Sequence, residues 1–438
     1  MGVKVCKFGG TSMSTAESIE RVAEIILSDK DRKYIVVSAP GKRFRGDNKV
    51  TDLLYASFDE ALETGSCKNS FSKVRERFLG LVSDLKLSVN FNDYLDEIEA
   101  NINASSTPDY AASRGEFLAA MLLAAKLRFG FVDASDLIRF AENGAFNAEY
   151  TNDIASKNLE KCKYVVVPGF YGSFDNGQIK TFSRGGSDVS GAIVARAVNA
   201  DVYENWTDVD GFLTADPRIV DNPKQISTLS YSELRELSYM GADVLHPDSI
   251  FPVRISQTPI NIRNTFFPEH AGTTIVARYE DGCQSDNIVT GIAGHTGFTS
   301  INISKSMMNS ELGFGRKVLS VLEQCGISFE HIPSGIDTMS LVIADNEIQG
   351  KLEKLLNKLR EAVNPDKIDI HSGLALIATV GQRMADRPGT AAKLFSALAA
   401  SNVNIRMIDQ GSSEMNIIVA VELGDYEKAI NAIYHAFF

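Results

Sequence analysis

Cysteine is scarce in this sequence, and long apolar runs are absent from it. The cysteines are odd in number, widely separated and without a C-x-x-C pair: Cys6, Cys67, Cys162, Cys283 and Cys325. This pattern argues against both a disulfide framework and a zinc site. The longest apolar run, residues 118–125, is too short to cross a bilayer, and no export signal opens the chain. We therefore expect a cytoplasmic protein without a membrane anchor.

Positive charge is in deficit as well. The chain has 44 Lys and Arg residues against 56 Asp and Glu, a formal net charge of -12 at pH 7. Such a chain offers no basic field to a nucleic acid, so nucleic acid is not expected as a partner. Apolar residues make up 44% of the 438 residues, which is the composition of an ordinary globular protein with two or three domains.

The beginning of the chain has the pattern of a βαβ unit. Val3 and Val5 alternate as in a strand before the Gly9-Gly10 pair, and apolar residues then recur at helical spacing over residues 19–26. Residues 34–39 are predicted to form the next strand. Ser14 and Glu17 have the spacing of a capping box for that helix.

A second strand, glycine loop and helix follow at residues 164–169, 183–188 and 189–198. Alternating strands and helices predict a parallel sheet covered on both faces, and ligands of such sheets bind at the carboxyl ends of the strands. We therefore expect both glycine loops to meet in one cleft.

From about residue 285 the sequence repeats itself with a shift of 76 residues, which brings Gly313 onto Gly389 and residues 341–343 onto 417–419. Each copy holds strand, helix, strand, turn and strand, the content of a small ferredoxin-like sandwich. Neither copy carries a cluster of titratable groups, which favours a regulatory module over a second active site.

Three motifs point to chemistry. Residues 7–12 (KFGGTS) place a lysine at a strand end before two glycines, whose backbone amides are able to approach a phosphate. This is not a Walker A loop, because the lysine precedes the glycines, and an ordinary structural turn remains an alternative. In residues 183–188 (SRGGSD), Arg184 suits a carboxylate and Asp188 is able to hold a lysine across the cleft. The alternative is that Ser187 or Asp188 only caps the helix.

The third motif, residues 113–116 (SRGE), leaves two interpretations equally open. Ser113 and Glu116 have capping-box spacing ahead of an apolar helix, whereas a carboxylate at that position would also suit a substrate ammonium. Residues 205–211 read as a strand end followed by an ordinary turn. No clustered metal ligands are seen, so any Mg²⁺ is expected to be held mainly by nucleotide phosphates.

The motifs together resemble those of the aspartate kinases over essentially the whole chain. They stand in the family's order and spacing, at residues 7–12, 113–116, 183–188, 207–218 and 244–247, and the tandem repeat, including residues 404–416, looks like the family's paired ACT domains. The resemblance implies an α/β fold. An amino-acid-kinase-like parallel-sheet α/β/α sandwich over residues 1–284 would be followed by two ferredoxin-like ACT α+β regulatory domains, residues 285–370 and 371–438.

The resemblance also implies an activity, the ATP-dependent conversion of L-aspartate to 4-phospho-L-aspartate, the first step towards lysine, threonine and methionine. Lys7 would contact the transferring phosphates, Asp188 would organise them, and Arg184 would bind the substrate's α-carboxylate. Further substrate contacts are implied for Thr51, Glu116, Gly185, Gly186 and Ser187. Nucleotide contacts are implied for Lys7, Gly9, Gly10, Thr207, Asp208, Leu213 and Arg218. Because the acceptor carboxylate is ionised at pH 7, this chemistry requires positioning and charge neutralisation but no strong base.

In this family an end product binds between the ACT domains of two subunits, which implies lysine or threonine as an effector and a homodimer or homotetramer. The matching residues are Met308, Gly313, Phe314, Ser328, Phe329 and Glu330. For each of them an ordinary role as a turn or strand residue remains open.

The chain departs from the family pattern at three places. Asp243 stands where a lysine is usual, Leu213 where some members have a tyrosine, and residues 41–50 are longer and more basic than expected before Thr51. Two alternative functions remain open. One is an amino-acid or carbamate kinase with another substrate, such as glutamate; the other, suggested by Asp243, is a ligand-binding regulator without kinase activity.

Overall fold

The structure is a computed structural model that describes residues 2–438 apart from 105, 184, 243, 246 and 280–286. The chain forms two compact units. The first comprises Met1–Phe212, Gln225–Leu234 and Asp243–Gln284, and the second comprises Leu213–Lys224, Arg235–Ala242 and Ser285–Phe438. Two short segments that lie within residues 1–284, the predicted catalytic domain, therefore belong to the second unit.

The first unit is built on an eight-stranded sheet with the order β3-β4-β2-β1-β7-β9-β10-β8. All neighbouring strands are parallel except β9 and β10. The strands of this unit, including the separate β5-β6 hairpin, are β1 (Lys4–Phe8), β2 (Arg32–Val37), β3 (Gly130–Phe131), β4 (Val165–Pro168), β5 (Tyr171–Ser173), β6 (Ile179–Thr181), β7 (Val202–Thr207), β8 (Thr228–Ser230), β9 (Ile260–Asn264) and β10 (Thr273–Val276).

Helices cover this sheet, which explains why β1, β2 and β4 are buried along nearly their whole lengths. They are α1 (Ala16–Leu27), α2 (Val50–Thr64), α3 (Lys68–Asp84), α4 (Asn92–Asn103), α5 (Pro108–Leu127), α6 (Ala148–Leu159), α7 (Gly186–Ala197), α8 (Tyr231–Tyr239) and α9 (Phe251–Ser256). One core joins β1 and β2 to α1–α5. Short 3-10 helices lie at Thr11–Met13, Ala134–Asp136 and Pro247–Ile250.

The second unit contains one antiparallel sheet of five strands in the order β12-β11-β13-β15-β14. Its strands are β11 (Gly291–Ser304), β12 (Thr338–Ala344), β13 (Lys367–Val380), β14 (Ile405–Asp409) and β15 (Asn416–Glu422). Its helices are α10 (Phe314–Cys325), α11 (Asp345–Ile348), α12 (Leu352–Val363), α13 (Thr390–Ala400) and α14 (Tyr426–Phe437), with 3-10 helices at Met308–Ser310, Gln382–Met384 and Leu423–Asp425. Together the two sheets confirm the predicted fold class.

The sequence repeat is visible in this unit, but the two copies share their longest strands. β11 and β13 pair along nearly their whole lengths, whereas β12 pairs with residues 298–304 of β11 and β15 with residues 374–380 of β13. Each copy has its own apolar core. The predicted boundary between residues 370 and 371 lies inside β13, since that strand continues from one copy into the other.

Candidate active site

Lys7 lies at the carboxyl end of the central strand, one residue before β1 ends, and its side chain is buried. The glycines after it form a tight turn: Gly9 N donates to Trp206 O at 3.1 Å, and a Cβ added to Gly10 would lie 3.0 Å from Ala39 O. The 3-10 helix Thr11–Met13 separates this turn from α1. The helix predicted over residues 19–26 therefore does not begin directly after the glycine pair.

The capping box of α1 lies one residue later than predicted. Thr15 and Ser18 form it, each side chain accepting from the other residue's backbone amide. The pairing of Ser14 with Glu17 was wrong because the 3-10 helix delays the start of α1. Ser14 instead donates through its hydroxyl to Thr11 O at 2.8 Å, which ties the chain back to the glycine turn.

The second glycine loop brings Asp188 to Lys7. Gly185 has a positive φ of 56° and serves as the N-cap of α7, whose first turn contains Asp188. Lys7 Nζ lies 2.6 Å from Asp188 Oδ1. Both loops thus meet at the carboxyl edge of the sheet, where the buried ammonium group of Lys7 pairs with the Asp188 carboxylate.

Asn205 completes this pair and was missed by the sequence analysis, which placed it at the start of an ordinary turn. β7 lies next to β1 with Asn205 opposite Lys7. Asn205 Nδ2 donates to Asp188 Oδ1 at 2.9 Å, and Lys7 Nζ donates to Asn205 Oδ1 at 3.5 Å. Nothing in one sequence reveals that β7, rather than another strand, neighbours β1.

A cavity of about 390 Å³ adjoins the first glycine turn. Its lining includes Gly10, Thr11, Lys42, Lys49, Thr51 and Glu116. Two residues predicted to contact substrate, Thr51 and Glu116, therefore share one cavity with a residue predicted to contact phosphate. Lys42 and Lys49, from the basic segment that departs from the family pattern, add positive charge to its wall.

Glu116 is the most perturbed carboxyl group near this cavity. It is 4% exposed, and no described residue donates to its Oε2 atom. Burial raises the pKa of Glu116 to about 8, although the backbone amide of Ala39 and the charge of Arg114 act in the opposite direction. The capping-box interpretation was wrong, because α5 begins at Pro108 after an N-cap at Thr107 and Glu116 lies in its interior.

The remaining residues of the predicted substrate loop pack closely. Ser187 is buried against Gly169, where an added Cβ would lie 2.7 Å from the Ser187 Cβ, and Gly186 lies against Phe170 in the same way. Arg184, the predicted carboxylate ligand, lies outside the described residues, and so does Asp243.

The predicted nucleotide residues belong to both units. Thr207 ends β7, and the adjacent Asp208 accepts from Thr11 Oγ1 at 3.0 Å, which links it to the first glycine turn. Leu213 and Arg218 belong to the second unit. There Arg218 is an exposed side chain paired with Asp216 at 2.6 Å.

The predicted effector residues differ in their surroundings. Met308 and Phe314 are buried in the apolar core of the first repeat copy. Gly313 caps α10 with a φ of 80°. Ser328 and Phe329 line an open cavity of about 900 Å³, and Glu330 accepts a hydrogen bond from the Tyr239 hydroxyl.

Two features are absent from the part of the chain that the structure describes. It contains no group of three or more His, Cys, Asp or Glu side chains placed to hold a metal ion. None of its helices is both long enough and apolar enough to span a bilayer.

Comparisons with known proteins agree with this architecture. Residues 2–264 match the model of the amino acid kinase family, and residues 377–437 match that of an ACT domain. Aspartokinase 3 of Bacillus subtilis is 38% identical over 100% of this chain and 99% of its own length.

Solved structures are similar over the same extent. The crystal structure of Clostridium acetobutylicum aspartate kinase is 49% identical, with a TM-score of 0.92 and 100% of both chains covered. E. coli aspartokinase III in complex with aspartate and ADP is 25% identical, with a TM-score of 0.76 and 100% of both chains covered. The chain therefore belongs to the amino acid kinase family and, within it, to the aspartokinases that carry C-terminal ACT domains.

Proposed function

We propose that this protein transfers the γ-phosphoryl group of ATP to the side-chain carboxylate of L-aspartate, giving 4-phospho-L-aspartate and ADP. The observation that carries the proposal is the Lys7–Asp188 pair, 2.6 Å long, beside the glycine turn at the carboxyl edge of the sheet. Full-length similarity to the B. subtilis aspartokinase and to the E. coli enzyme bound to aspartate and ADP supports the choice of substrates.

In this proposal the protein acts by positioning and by neutralising charge. Lys7 binds the transferring phosphates, with Asp188 and Asn205 fixing its ammonium group. The turn at Gly9 and Gly10 would contact the nucleotide, although the Gly9 amide itself donates to Trp206 O. Thr207, Asp208, Leu213 and Arg218 would also contribute to the nucleotide site. No general base is needed, because the attacking carboxylate is already ionised.

Aspartate would occupy the cavity lined by Thr51 and Glu116. The ammonium group of aspartate would pair with Glu116, whose Oε2 atom has no donor among the described residues. Arg184, Gly185, Gly186 and Ser187 would bind the α-carboxylate end; for Arg184 this role depends on the family resemblance alone.

Mg²⁺ is proposed to arrive with ATP. The described residues hold no cluster of metal ligands, and the nearest carboxylate to Lys7, that of Asp188, already pairs with Lys7 and Asn205. Mg²⁺ commonly keeps its phosphate ligands and waters in such sites, so the nucleotide would supply most of its coordination. When bound, it would neutralise charge on the phosphates.

Regulation and assembly belong to the same proposal. Residues 1–284 would be the catalytic domain, and residues 285–370 and 371–438 the ACT domains that bind lysine or threonine at a subunit interface. E. coli aspartokinase III has been solved in complex with lysine and aspartate, which supports an amino-acid effector. We propose a cytoplasmic homodimer or homotetramer that serves amino-acid biosynthesis.

The first prediction is that purified protein with ATP, Mg²⁺ and aspartate releases ADP and forms an acyl phosphate that hydroxylamine traps. Lys7→Met should lower kcat by roughly 100-fold or more, because it removes a charge-stabilising contact to the transferring group. Lys33→Met is the matched control, since Lys33 lies at the opposite end of the adjacent strand and bonds Gly2 O; it should have little effect.

Two experimental outcomes would contradict the proposal and favour another function. Equal or faster turnover with glutamate than with aspartate would identify a different amino-acid kinase. No ADP release at any effector concentration would favour the ligand-binding regulator.

A further inference from the structure

The loop between β2 and α2, residues 38–49, forms one wall of the cavity that we assign to aspartate. It contributes Gly41, Lys42 and Lys49 to the lining and leads into Thr51. Residues 42–46, 48 and 49 are exposed. The loop therefore has almost no apolar core of its own, and its conformation must be fixed by polar contacts.

Arg77 supplies two of those contacts, from outside the loop. It lies on α3, and its side chain is only 4% exposed. Its Nη1 atom donates to Asp47 Oδ2 at 2.8 Å, and its Nη2 atom donates to Gly41 O at 2.7 Å. One guanidinium group thus contacts the loop near its beginning, at Gly41, and near its end, at Asp47.

The same group also fixes the segment that follows the phosphate-binding turn. Arg77 Nη2 donates to Ser14 O at 3.1 Å, and Ser14 donates through both its amide and its hydroxyl to Thr11 O. Arg77 therefore joins two segments that are far apart in sequence, the Gly9–Ser14 segment and the β2-α2 loop.

These two segments touch directly on the cavity side. Gly41 N donates to Gly10 O at 2.8 Å, and a Cβ added to Gly41 would lie 2.8 Å from the carbonyl carbon of Gly10. A small displacement of the loop would consequently displace Gly10, which lines the same cavity. Arg77 is absent from the described lining of this cavity and instead lines a separate cavity of about 400 Å³ with Ser14 and Asp47.

We propose that Arg77 is a positioning residue for phosphoryl transfer, which sets the distance between the Gly9-Gly10 turn and the Lys42–Thr51 wall of the aspartate cavity. This inference depends on the proposed function for its kinetic consequence. Arginine suits the task because its planar group donates to three acceptors in fixed directions, whereas a lysine offers a single flexible ammonium group.

The contacts of Arg77 with Ser14, Gly41 and Asp47 are called the clamp below. Asp47 connects this clamp to an arginine of the loop itself. Arg43, from within the loop, donates to both carboxylate oxygens of Asp47 at 2.8 and 3.0 Å, and Arg77 donates to the same group. Loss of Arg77 would leave Asp47 paired with Arg43, so the loop would keep its internal turn but lose its attachment to α3.

Arg77→Met in the full-length protein tests the proposal. We expect kcat/KM for aspartate to fall by about 10- to 100-fold, since a displacement near 1 Å at a reacting group has effects of this size. The KM for aspartate should rise more than the KM for ATP. Arg77→Lys should recover only part of the loss, and Asp47→Asn should show the same pattern more weakly.

Arg75→Met is the matched control. Arg75 lies on the same helix but pairs with Asp96 and Glu99 of α4, so it should reduce thermal stability without changing the ratio of the two KM values. Equal kinetic effects of Arg75→Met and Arg77→Met would mean that Arg77 only stabilises the fold, and would overturn the proposal.

Amide hydrogen exchange gives a readout that does not require kinase activity. Arg77→Met, or Arg77→Lys if the former does not fold, should speed exchange in peptides covering residues 9–14 and 38–50 but not in those covering α4. Unchanged exchange in both peptides would refute the clamp. If the Arg77 variant exchanges faster in these peptides but the wild-type protein releases no ADP, the clamp is supported and the proposed function is rejected.

Discussion

Glu116 shows how burial controls the charge of a single side chain. Its carboxyl group is buried within the first half of α5. An exposed glutamate at such a position would be solvated by water, whereas this one depends on the protein groups around it. Burial raises the pKa of Glu116 to about 8, so the group is largely neutral at pH 7 in the free protein. If aspartate binds here as proposed, its ammonium group would favour the ionised form of Glu116.

The pKa of Glu116 leads to a prediction about stability. Between the ordinary value of 4.5 and the folded value of about 8, the folded protein binds a proton that the unfolded chain does not. The free energy of unfolding therefore falls as pH rises through this window. Glu116→Gln cannot titrate, so its Tm relative to wild type should rise by at least a few degrees between pH 5 and pH 9.

Glu97→Gln, which changes an exposed glutamate on α4, is the control and should show no such trend. Differential scanning calorimetry across this pH range measures the effect. A Tm difference for Glu116→Gln that stays constant with pH would show that the buried carboxyl group is already ionised at neutral pH.

The position of α7 decides whether Asp188 reaches Lys7, and a single glycine sets that position. A Cβ added to Gly191 would lie 2.4 Å from the hydroxyl oxygen of Tyr203 on β7, and Tyr203 in turn donates to Asp188 O at 3.1 Å. The helix therefore rests on the sheet at a distance that no larger residue allows.

Gly191→Ala should accordingly destabilise the protein by about 1–3 kcal/mol through overpacking and should lower kcat by displacing Asp188. Gly80→Ala provides the opposite case. Gly80 lies within α3 and has nothing within 4 Å of an added Cβ, so alanine there should stabilise by about 0.5–1 kcal/mol and leave kcat unchanged. Chemical denaturation and steady-state kinetics on both variants test this contrast, which fails if the two changes have the same sign.

The elements themselves were largely predictable from the sequence, but their neighbours were not. Apolar periodicity and glycine placement located β1, β2, α1 and α7, because these signals are local. Asn205 was missed because its role depends on β7 lying beside β1, and strand order is a long-range property. The capping-box interpretation of residues 113–116 failed because Thr107 and Pro108 already begin the helix.

Pairing between strands that are distant in sequence also limited what could be predicted for the C-terminal repeat. The 76-residue repeat predicted two similar copies, but β11 and β13 each run through both copies. A repeat in sequence shows which residues are equivalent but not how two copies share a sheet. The segments 213–224 and 235–242 pack with this regulatory unit although they lie within the catalytic sequence, because burial of apolar residues such as Val220 and Ile219 decides their partners.

The sequence of α8 belongs to both units, since residues up to 234 pack with the first and residues 235–242 with the second. Tyr239, its last residue, donates to Glu330, one of the predicted effector residues. An effector that binds near Glu330 would act on the C-terminal end of α8 through this hydrogen bond. Coupling of this kind is reciprocal, so aspartate and ADP must weaken effector binding by the factor by which the effector weakens theirs.

We therefore predict that lysine or threonine inhibits the wild-type protein and that Tyr239→Phe, which removes one hydrogen bond to Glu330 and keeps the ring, reduces this inhibition. Uninhibited kcat should change by no more than about twofold, because neither Tyr239 nor Glu330 is among the residues proposed to contact ATP or aspartate. Isothermal titration of the effector with and without aspartate and ADP measures the coupling factor in both proteins. The factor should approach unity in the variant, since a ligand shifts an equilibrium only by its differential affinity for the two states. An undiminished factor in Tyr239→Phe would show that coupling passes through other contacts of the regulatory unit.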